Sequence, residues 1–287
     1  MRKLPFHQVD VFTERRFYGN PLAVFLDADD LNPTLMQRIA REMNLSETTF
    51  VQRSDDAACA FRVRIFTPGK ELPFAGHPTI GTAFVLDRLG KLPPREFVFQ
   101  MGVGPVRVRK ESGSFWMSPP APRAGTVIED LPGLAAALEL GSRPCLAAQV
   151  VGNGMRFLCI LLANAADVDD VRVNRAQLAR VLGDQFAKAD LLTFSYEGQR
   201  AYSRMFADPE YGIGEDPATG ASVALLCLAL KLHGRLEAKT TSITVEQGTK
   251  MGRQSFLHAR FTQLADGLRD IEVGGAAVHV FESGLEI

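Results

Sequence analysis

Two short stretches in different halves of the chain decide how it is organised. Arg64–Phe66 (RIF) is followed, after residues 67–76, by His77–Gly81 (HPTIG). Arg204–Phe206 (RMF) is followed, after residues 207–215, by Asp216–Gly220 (DPATG). Each pair is typical of a strand, a loop, and then a polar residue, Pro and Gly at the start of an apolar helix. This repeat, set in a similar order of elements, indicates an internal duplication.

The sequence on either side of these stretches extends the repeat. Alternating apolar residues predict strands around each one, and apolar runs predict helices over about residues 78–89 and 217–233. Three prolines in Ser118–Arg123 mark a candidate linker. We therefore expect an α/β or α+β fold with two similar lobes, residues 1–118 and 119–287, each with one of these helices at its centre. The final strand is a candidate to cross into the first lobe.

The composition limits the class of protein. The chain has 287 residues, 46% of them hydrophobic, with 32 Lys+Arg against 33 Asp+Glu, which is ordinary for a globular protein. The balanced charge argues against a nucleic-acid partner. The longest apolar runs, such as Val223–Leu230, are too short for a membrane span, and the N-terminus has no apolar signal region. We expect a cytoplasmic protein with no membrane partner.

The cysteines and the known cofactor motifs give no sign of thiol, metal or nucleotide chemistry. Cys59, Cys159 and Cys227 lie in or beside apolar stretches, and Cys145 lies beside a proline. No C-x-x-C pair occurs, so we interpret all four as buried residues of a reducing compartment. The sequence has no P-loop lysine motif, no G-x-S-x-G and no H-E-x-x-H. We expect neither a cofactor nor a metal.

The two predicted helix starts are the first candidates for a binding site. The first turn of a helix has unpaired N–H groups and a partial positive charge, which suit a carboxylate or phosphate. Glycine there lets a ligand approach the backbone closely. His77 and Asp216 occupy matching positions in the repeat, so both could face a shared cleft. Alternatively, the helix starts are only well capped, with His77 exposed and Asp216 an N-cap.

Glu47 is a further candidate for acid–base chemistry. It lies in Leu45–Phe50 (LSETTF), between a helix that is predicted to start at Pro33 and a strand. Partial desolvation in such a turn could raise the pKa of its carboxyl group toward the range useful for a general acid or base. The alternative is a solvated loop glutamate.

The chain resembles the PhzF family, the phenazine-biosynthesis isomerases within the diaminopimelate-epimerase-like fold. The G-H-P and E-D-P-A-T-G motifs carry this resemblance, and further similar residues extend it over nearly the whole chain. The resembling stretches are Gly19–Pro21, Asp27–Leu31, Met36–Val51, Arg64–Pro68, Glu71–Thr82, Ser203–Phe206, Tyr211–Gly220 and Gln247–Arg253.

The resemblance implies two pseudo-symmetric lobes, each with a curved sheet around a central helix, and usually a homodimer. It also implies isomerisation without a cofactor, on a small carboxylate-bearing ring such as trans-2,3-dihydro-3-hydroxyanthranilate. In the family, a glutamate matching Glu47 takes a ring proton and returns it elsewhere on the ring. The resemblance further implies catalytic roles for His77 and Asp216 and substrate contacts at Gly76, Gly220, Ala221 and Ser46.

One residue departs from the family pattern, and it bears on the identity of the substrate. The family's phenazine enzymes have a serine after T-G, whereas this chain has Ala221 followed by Ser222. A shift of one position on a helix turns a side chain by about 100°, so Ser222 is not expected to replace that serine. Two alternatives to an isomerase stay open. One is a two-cysteine epimerase or racemase, and the other is a non-catalytic small-molecule-binding protein with the same fold.

Overall fold

A computed structural model describes residues 2–287. The α-helices are α1 (Pro33–Met43), α2 (Gly76–Arg88), α3 (Leu131–Ala137), α4 (Ala165–Asp169), α5 (Arg175–Leu182) and α6 (Gly220–Leu232). The strands of the first half are β1 (Lys3–Val11), β2 (Asn20–Phe25), β3 (Glu47–Gln52), β4 (Phe61–Phe66), β5 (Glu71–Leu72), β6 (Glu96–Met101), β7 (Gly104–Glu111), β8 (Ser114–Met117) and β9 (Arg123–Val127). Those of the second half are β10 (Ala147–Gly152), β11 (Arg156–Leu161), β12 (Asp190–Glu197), β13 (Arg200–Phe206), β14 (Glu215–Asp216), β15 (Ser242–Gln247), β16 (Ser255–Gln263), β17 (Leu268–Gly275) and β18 (Ala277–Glu286).

The pairing of the strands confirms the duplication. In the first half β1–β2 is antiparallel, β2–β3 parallel, β3–β4 antiparallel and β4–β6 parallel, and β6–β7 and β7–β8 are antiparallel. The second half repeats this order from β10 to β17, including the parallel pairs β11–β12 and β13–β15. The two short strands β5 and β14 also correspond, since each pairs with the strand that precedes it.

The ends of the chain complete this symmetry. β18 pairs antiparallel with β1, and β9 pairs antiparallel with β10. β18 and β9 therefore occupy equivalent places in the two halves. β8 and β17 join the two halves of the sheet as an antiparallel pair. The last strand therefore lies beside the first strand of the chain. The boundary at residue 118 stays a prediction.

The two central helices explain why each half wraps its strands around a core. α2 is buried from Gly76 to Ala83 and α6 from Gly220 to Leu230, so both helices are covered on all sides. Their apolar side chains join those of the strands in one large cluster of buried residues. This confirms the expected central helices, because a helix that is apolar all round is stable only when enclosed.

The predicted start of α6 is wrong. We expected a helix from about residue 217, but Asp216 ends β14 and α6 begins at Gly220. The Asp216 side chain accepts a hydrogen bond from the Thr219 hydroxyl and does not cap a backbone N–H group. Pro217 therefore lies in the connection, where its fixed φ does not disturb the helix. In the first half α2 begins at Gly76, slightly before the predicted residue 78.

The helices within residues 2–287 can be compared with the length and hydropathy that a membrane span needs. No helix in this range is both long enough and apolar enough to cross a bilayer.

Candidate active site

The N-termini of α2 and α6 meet at two glycines. A Cβ atom built on Gly76 would lie 2.4 Å from the Cα atom of Gly220 and 2.6 Å from the backbone nitrogen of Ala221. The reverse holds too, since a Cβ atom on Gly220 would lie 2.9 Å from the Cα atom of Gly76. In the described chain, neither helix has a side-chain cap at its first turn. Two positive helix ends thus lie side by side with N–H groups that could hold an anion.

Glu47, His77 and Asp216 come together beside these helix ends. Glu47 begins β3, His77 is the second residue of α2, and Asp216 ends the short strand before α6. Their nearest donor and acceptor atoms all lie within 4.8 Å of one another. All three side chains are buried, with exposed fractions of 8%, 2% and 4%. An exposed capping role for His77 and a solvated loop position for Glu47 are therefore wrong.

Asn20 links His77 to Asp216. Its Nδ2 atom donates to Asp216 Oδ1 at 2.8 Å and to the carbonyl of Ala218 at 3.0 Å, and it lies 2.9 Å from His77 Nδ1. Because an amide nitrogen only donates and shares its two hydrogens among these three acceptors, the contact favours the neutral tautomer of His77 with its proton on Nε2. Asn20 is fully buried at the start of β2. Asn20 thus contacts His77 and orients Asp216 at the same time.

A second set of hydrogen bonds fixes Asp216 from the side of the second half. Thr219 donates its hydroxyl to Asp216 Oδ2 at 2.6 Å. Gln247, on β15, donates from Nε2 to the backbone carbonyl of Asp216 at 2.7 Å and to the Thr219 hydroxyl at 3.0 Å. Asp216 is therefore held by its near neighbour Thr219 and by two residues distant in sequence, Asn20 on β2 and Gln247 on β15.

Burial sets the protonation of His77 and Glu47. It lowers the pKa of His77 to about 3, so this imidazole is neutral at pH 7. It raises the pKa of Glu47 well above the ordinary value, and the carboxylates of Asp216 and Asp190 raise it further. His77 Nδ1 lies 3.3 Å from Glu47 Oε2. This contact therefore joins a neutral imidazole to a carboxyl group and is not an ion pair.

Burial and hydrogen bonds have opposing effects on the pKa of Asp216. Burial raises the pKa of its carboxyl group, and the neighbouring Glu215 adds to the rise. Hydrogen bonds from Thr219, Asn20 and Ser46 lower the pKa and limit the rise. Ser46, directly before Glu47, thus lies near the carboxylate of Asp216 in the other half.

Several buried polar atoms at this site have no hydrogen-bond partner within residues 2–287. They are Glu47 Oε2, His77 Nε2 and Asn20 Oδ1. A buried polar atom without a partner is costly, typically by about 1–3 kcal/mol. Such atoms grouped at one place indicate a site that a polar ligand would complete. The donor set of Glu47, His77 and Asp216 would also suit a divalent cation.

The cavity enclosed by these residues is small. It has a volume of about 20 Å³, which is room for about one water molecule. Met155, Met205, Tyr211 and Ile213 supply its apolar wall. A six-membered ring can therefore enter only when the walls of the cavity move apart.

Ala221 faces this cavity and Ser222 does not. Ala221 is one of the lining residues. The Ser222 hydroxyl donates to the backbone carbonyl of Thr219 at 2.8 Å, inside the first turn of α6. Ser222 therefore does not supply a hydroxyl at the place of the family serine, as the sequence predicted.

The four cysteines do not line this cavity. All four are buried, and within residues 2–287 none is paired. Burial raises the pKa of Cys145 and Cys159 to about 12 and also raises the pKa of Cys227, which keeps these thiols protonated. The residues that line the cavity include no cysteine. The cavity wall therefore does not supply the two thiolates of a cysteine epimerase.

Sequence reasoning missed Asn20, Thr219 and Gln247 as parts of this site. Asn20 lies within Gly19–Pro21, and Gln247 begins Gln247–Arg253, two stretches that resemble the family. Asn20 begins β2 and Gln247 ends β15, and a polar residue at such a strand end was the signal that could have indicated a site residue. Their contacts with Asp216 depend on how the two halves meet, which no local pattern encodes.

Comparison with known proteins identifies similar sequences over the whole chain. The family described as "Phenazine biosynthesis-like protein" (PhzC-PhzF) matches residues 9–283. The chain is 38% identical to trans-2,3-dihydro-3-hydroxyanthranilate isomerase of Pseudomonas chlororaphis, over 94% of this chain and 95% of that one.

Solved structures are similar over the same length. A Bacillus anthracis phenazine biosynthesis protein of the PhzF family superposes with a TM-score of 0.83 at 25% identity, with all of both chains covered. A hydroxyproline epimerase from Agrobacterium vitis superposes with a TM-score of 0.66 at 10% identity, over 99% of this chain and 92% of that one. The epimerase shares the fold, and together these likenesses confirm the expected diaminopimelate-epimerase-like architecture.

Proposed function

The chain belongs to the PhzF family of phenazine biosynthesis-like proteins and is an isomerase, and we propose that it moves a proton on a small carboxylate-bearing ring with Glu47 as acid and base. The observation that carries this proposal is the buried contact of Glu47 with His77 beside two helix N-termini. The substrate class follows from the relative of Pseudomonas chlororaphis, which is named as an isomerase of trans-2,3-dihydro-3-hydroxyanthranilate.

Glu47 has the properties that such a proton transfer needs. One base must take a proton from a ring carbon and then return it as an acid to another carbon. A carboxyl group can do both when its pKa lies near the working pH, and burial raises the pKa of Glu47 in that direction. The reaction in this form uses no cofactor, because the same carboxyl group accepts and donates the proton.

The surrounding groups would hold the substrate and stabilise charge. The first-turn N–H groups at Gly76 and Gly220 would bind the substrate carboxylate. His77, neutral and with its proton on Nε2, would donate that proton in a hydrogen bond to an oxygen on which charge develops. Asp216 would accept a hydrogen bond from the amino or hydroxyl group of the ring. Ser46 and Ala221 would line the same binding site.

An activity assay tests this function. The protein is mixed with trans-2,3-dihydro-3-hydroxyanthranilate, and the change in ultraviolet absorbance is followed. Glu47→Gln keeps the size of the side chain but removes the base, so we expect kcat to fall by about 10²–10⁴-fold with ligand binding nearly intact. Glu42→Gln, the same change at an exposed position of α1, is the matched control. A Glu47→Gln protein with the wild-type rate would contradict the proposal.

The homodimer implied by the family stays a prediction. The mass of the protein in solution, measured by light scattering after gel filtration, would distinguish a dimer from a monomer.

A further inference from the structure

The first and last strands bring three metal-binding side chains together, away from the candidate active site. His7 lies on β1, and His279 and Glu282 lie on β18. The two strands run antiparallel, with His7 opposite Glu282 and Val9 opposite His279. Histidine nitrogen and carboxylate oxygen are common ligands of divalent transition metals.

A β-bulge is what places both residues of β18 on the same face. Residues three apart on a regular strand point to opposite faces of the sheet. Here the register shifts between Gln8 and Val9, whose partners are Phe281 and His279, so that Val280 is skipped. The shift turns His279 to the side of His7 and Glu282. Bulges commonly serve to redirect a side chain in this way.

The distances between the three atoms suit one metal ion. His7 Nδ1 lies 3.4 Å from His279 Nε2 and 3.4 Å from Glu282 Oε2, and the third distance, His279 Nε2 to Glu282 Oε2, is 3.9 Å. Ligands bound tetrahedrally to zinc at about 2.0–2.1 Å are about 3.3–3.4 Å apart. The Glu282 side chain is 66% exposed and can close the remaining difference by rotation.

We propose that His7, His279 and Glu282 form a binding site for Zn²⁺ or a similar divalent transition metal, with water as the fourth ligand. Both imidazoles are largely covered, with 8% and 15% of their side chains exposed, whereas the carboxylate faces solvent. Burial lowers the pKa of both histidines, so each is neutral at pH 7 and has a lone pair to offer. His7 and Glu282 also line an open surface depression, through which an ion can reach them.

Neighbouring positive charges limit the strength of this site. Arg16 donates from Nε to the backbone carbonyl of His279 at 2.8 Å. Arg88 lies close enough to both histidines, and Lys91 close enough to His7, to lower the pKa of those imidazoles. Glu282 is the negative group that offsets them, so the carboxylate is needed for binding. A bound ion would connect the two ends of the chain, since His7 and His279 are 272 positions apart in sequence.

Calorimetric titration of the whole protein with ZnCl₂ tests the site. We expect one Zn²⁺ per chain and, because the ion binds the folded state, a higher melting temperature with Zn²⁺ than with EDTA. His279→Ala and Glu282→Gln should each weaken Zn²⁺ binding at least tenfold and abolish the shift. His233→Ala, at the end of α6, is the matched control and should bind Zn²⁺ like the wild type.

Two results would overturn the proposal. One is that the wild-type protein binds no Zn²⁺, or that a folded His279→Ala variant binds Zn²⁺ as tightly as the wild type. The other is Zn²⁺ binding that is lost in Glu47→Gln but kept in Glu282→Gln, which would place the ion at the candidate active site. Because Glu282 is exposed, its substitution is not expected to prevent folding. Zn²⁺ binding by His7, His279 and Glu282 is independent of the proposed isomerase mechanism.

Discussion

Gly76 and Gly220 face each other so closely that neither position has room for a side chain. A Cβ atom on Gly76 would lie 2.4 Å from the Cα atom of Gly220, and a separation below 3.0 Å requires the backbone to shift. This approach brings the N-termini of α2 and α6 to one place. It is the feature on which a shared carboxylate site depends.

Gly76→Ala should therefore separate the two helix ends. We expect a loss of about 1–3 kcal/mol of stability from overpacking, together with a large increase in KM, because the N–H groups no longer converge. Gly267→Ala is a suitable control, since a Cβ atom there meets nothing within 4 Å. Thermal unfolding and steady-state kinetics check both. A Gly76→Ala enzyme with wild-type KM would show that the close approach is not needed for binding.

Glu47 should make stability depend on pH. Its pKa is raised in the folded state, so between the unfolded pKa, near 4.5, and the folded one the folded protein holds more protons. Stability therefore falls as the pH rises through this interval. The Glu47→Gln variant would not suffer this loss, because an amide does not ionise in this range.

We expect Glu47→Gln to melt at nearly the wild-type temperature near pH 4 and several degrees higher at pH 8. About 1 kcal/mol shifts the melting temperature of a domain of 150–250 residues by about 2–4 °C. Calorimetry across this pH range checks the difference against the exposed control Glu42→Gln. A difference in melting temperature that is the same at both pH values would mean that the pKa of Glu47 is not raised.

Asn20 should act as a positioning residue. Asn20→Ala removes the donor to Asp216 Oδ1 and the amide beside His77 Nδ1, while Thr219 still holds Asp216 Oδ2, so we expect kcat to fall by about 10–100-fold with a smaller effect on KM. The pH profile of kcat should also change, because Asn20 no longer donates the hydrogen bond that lowers the pKa of Asp216. Asn32→Ala removes the N-cap of α1, which donates nothing to the site, and should cost about 1 kcal/mol of stability with activity unchanged. If both variants lose only stability, Asn20 has a structural role alone.

Ala221 should decide how well the ring substrate binds. Ala221→Ser adds a hydroxyl to the cavity wall, where the family's phenazine enzymes have a serine. We expect KM for trans-2,3-dihydro-3-hydroxyanthranilate to fall about tenfold, the equivalent of one hydrogen bond. Ser222→Ala, which removes a hydroxyl bonded to Thr219, should leave KM unchanged. An unchanged KM in Ala221→Ser would indicate that the natural substrate of this chain is a different acid.

The sequence by itself determined the repeat, the central helices and most of the strands. These features depend on local spacing: alternation of apolar residues marks a strand, and an apolar run after Pro marks a helix. The same local patterns predicted the wrong start for α6. Pro217 suits the first position of a helix, but Asp216 accepts a hydrogen bond from the Thr219 side chain and does not cap a backbone N–H group. The helix begins at Gly220, where it meets Gly76.

Only the tertiary structure decided which polar side chains meet. The sequence around Glu47 is typical of a loop and leaves its exposure open, yet the packing of β3 against α2 buries it beside His77. Asn20 reaches Asp216 across 196 positions of sequence. His279 joins His7 only because of a one-residue bulge in β18. Local pattern fixes the direction of a side chain relative to its own strand or helix, but its neighbours across the protein depend on how those elements pack.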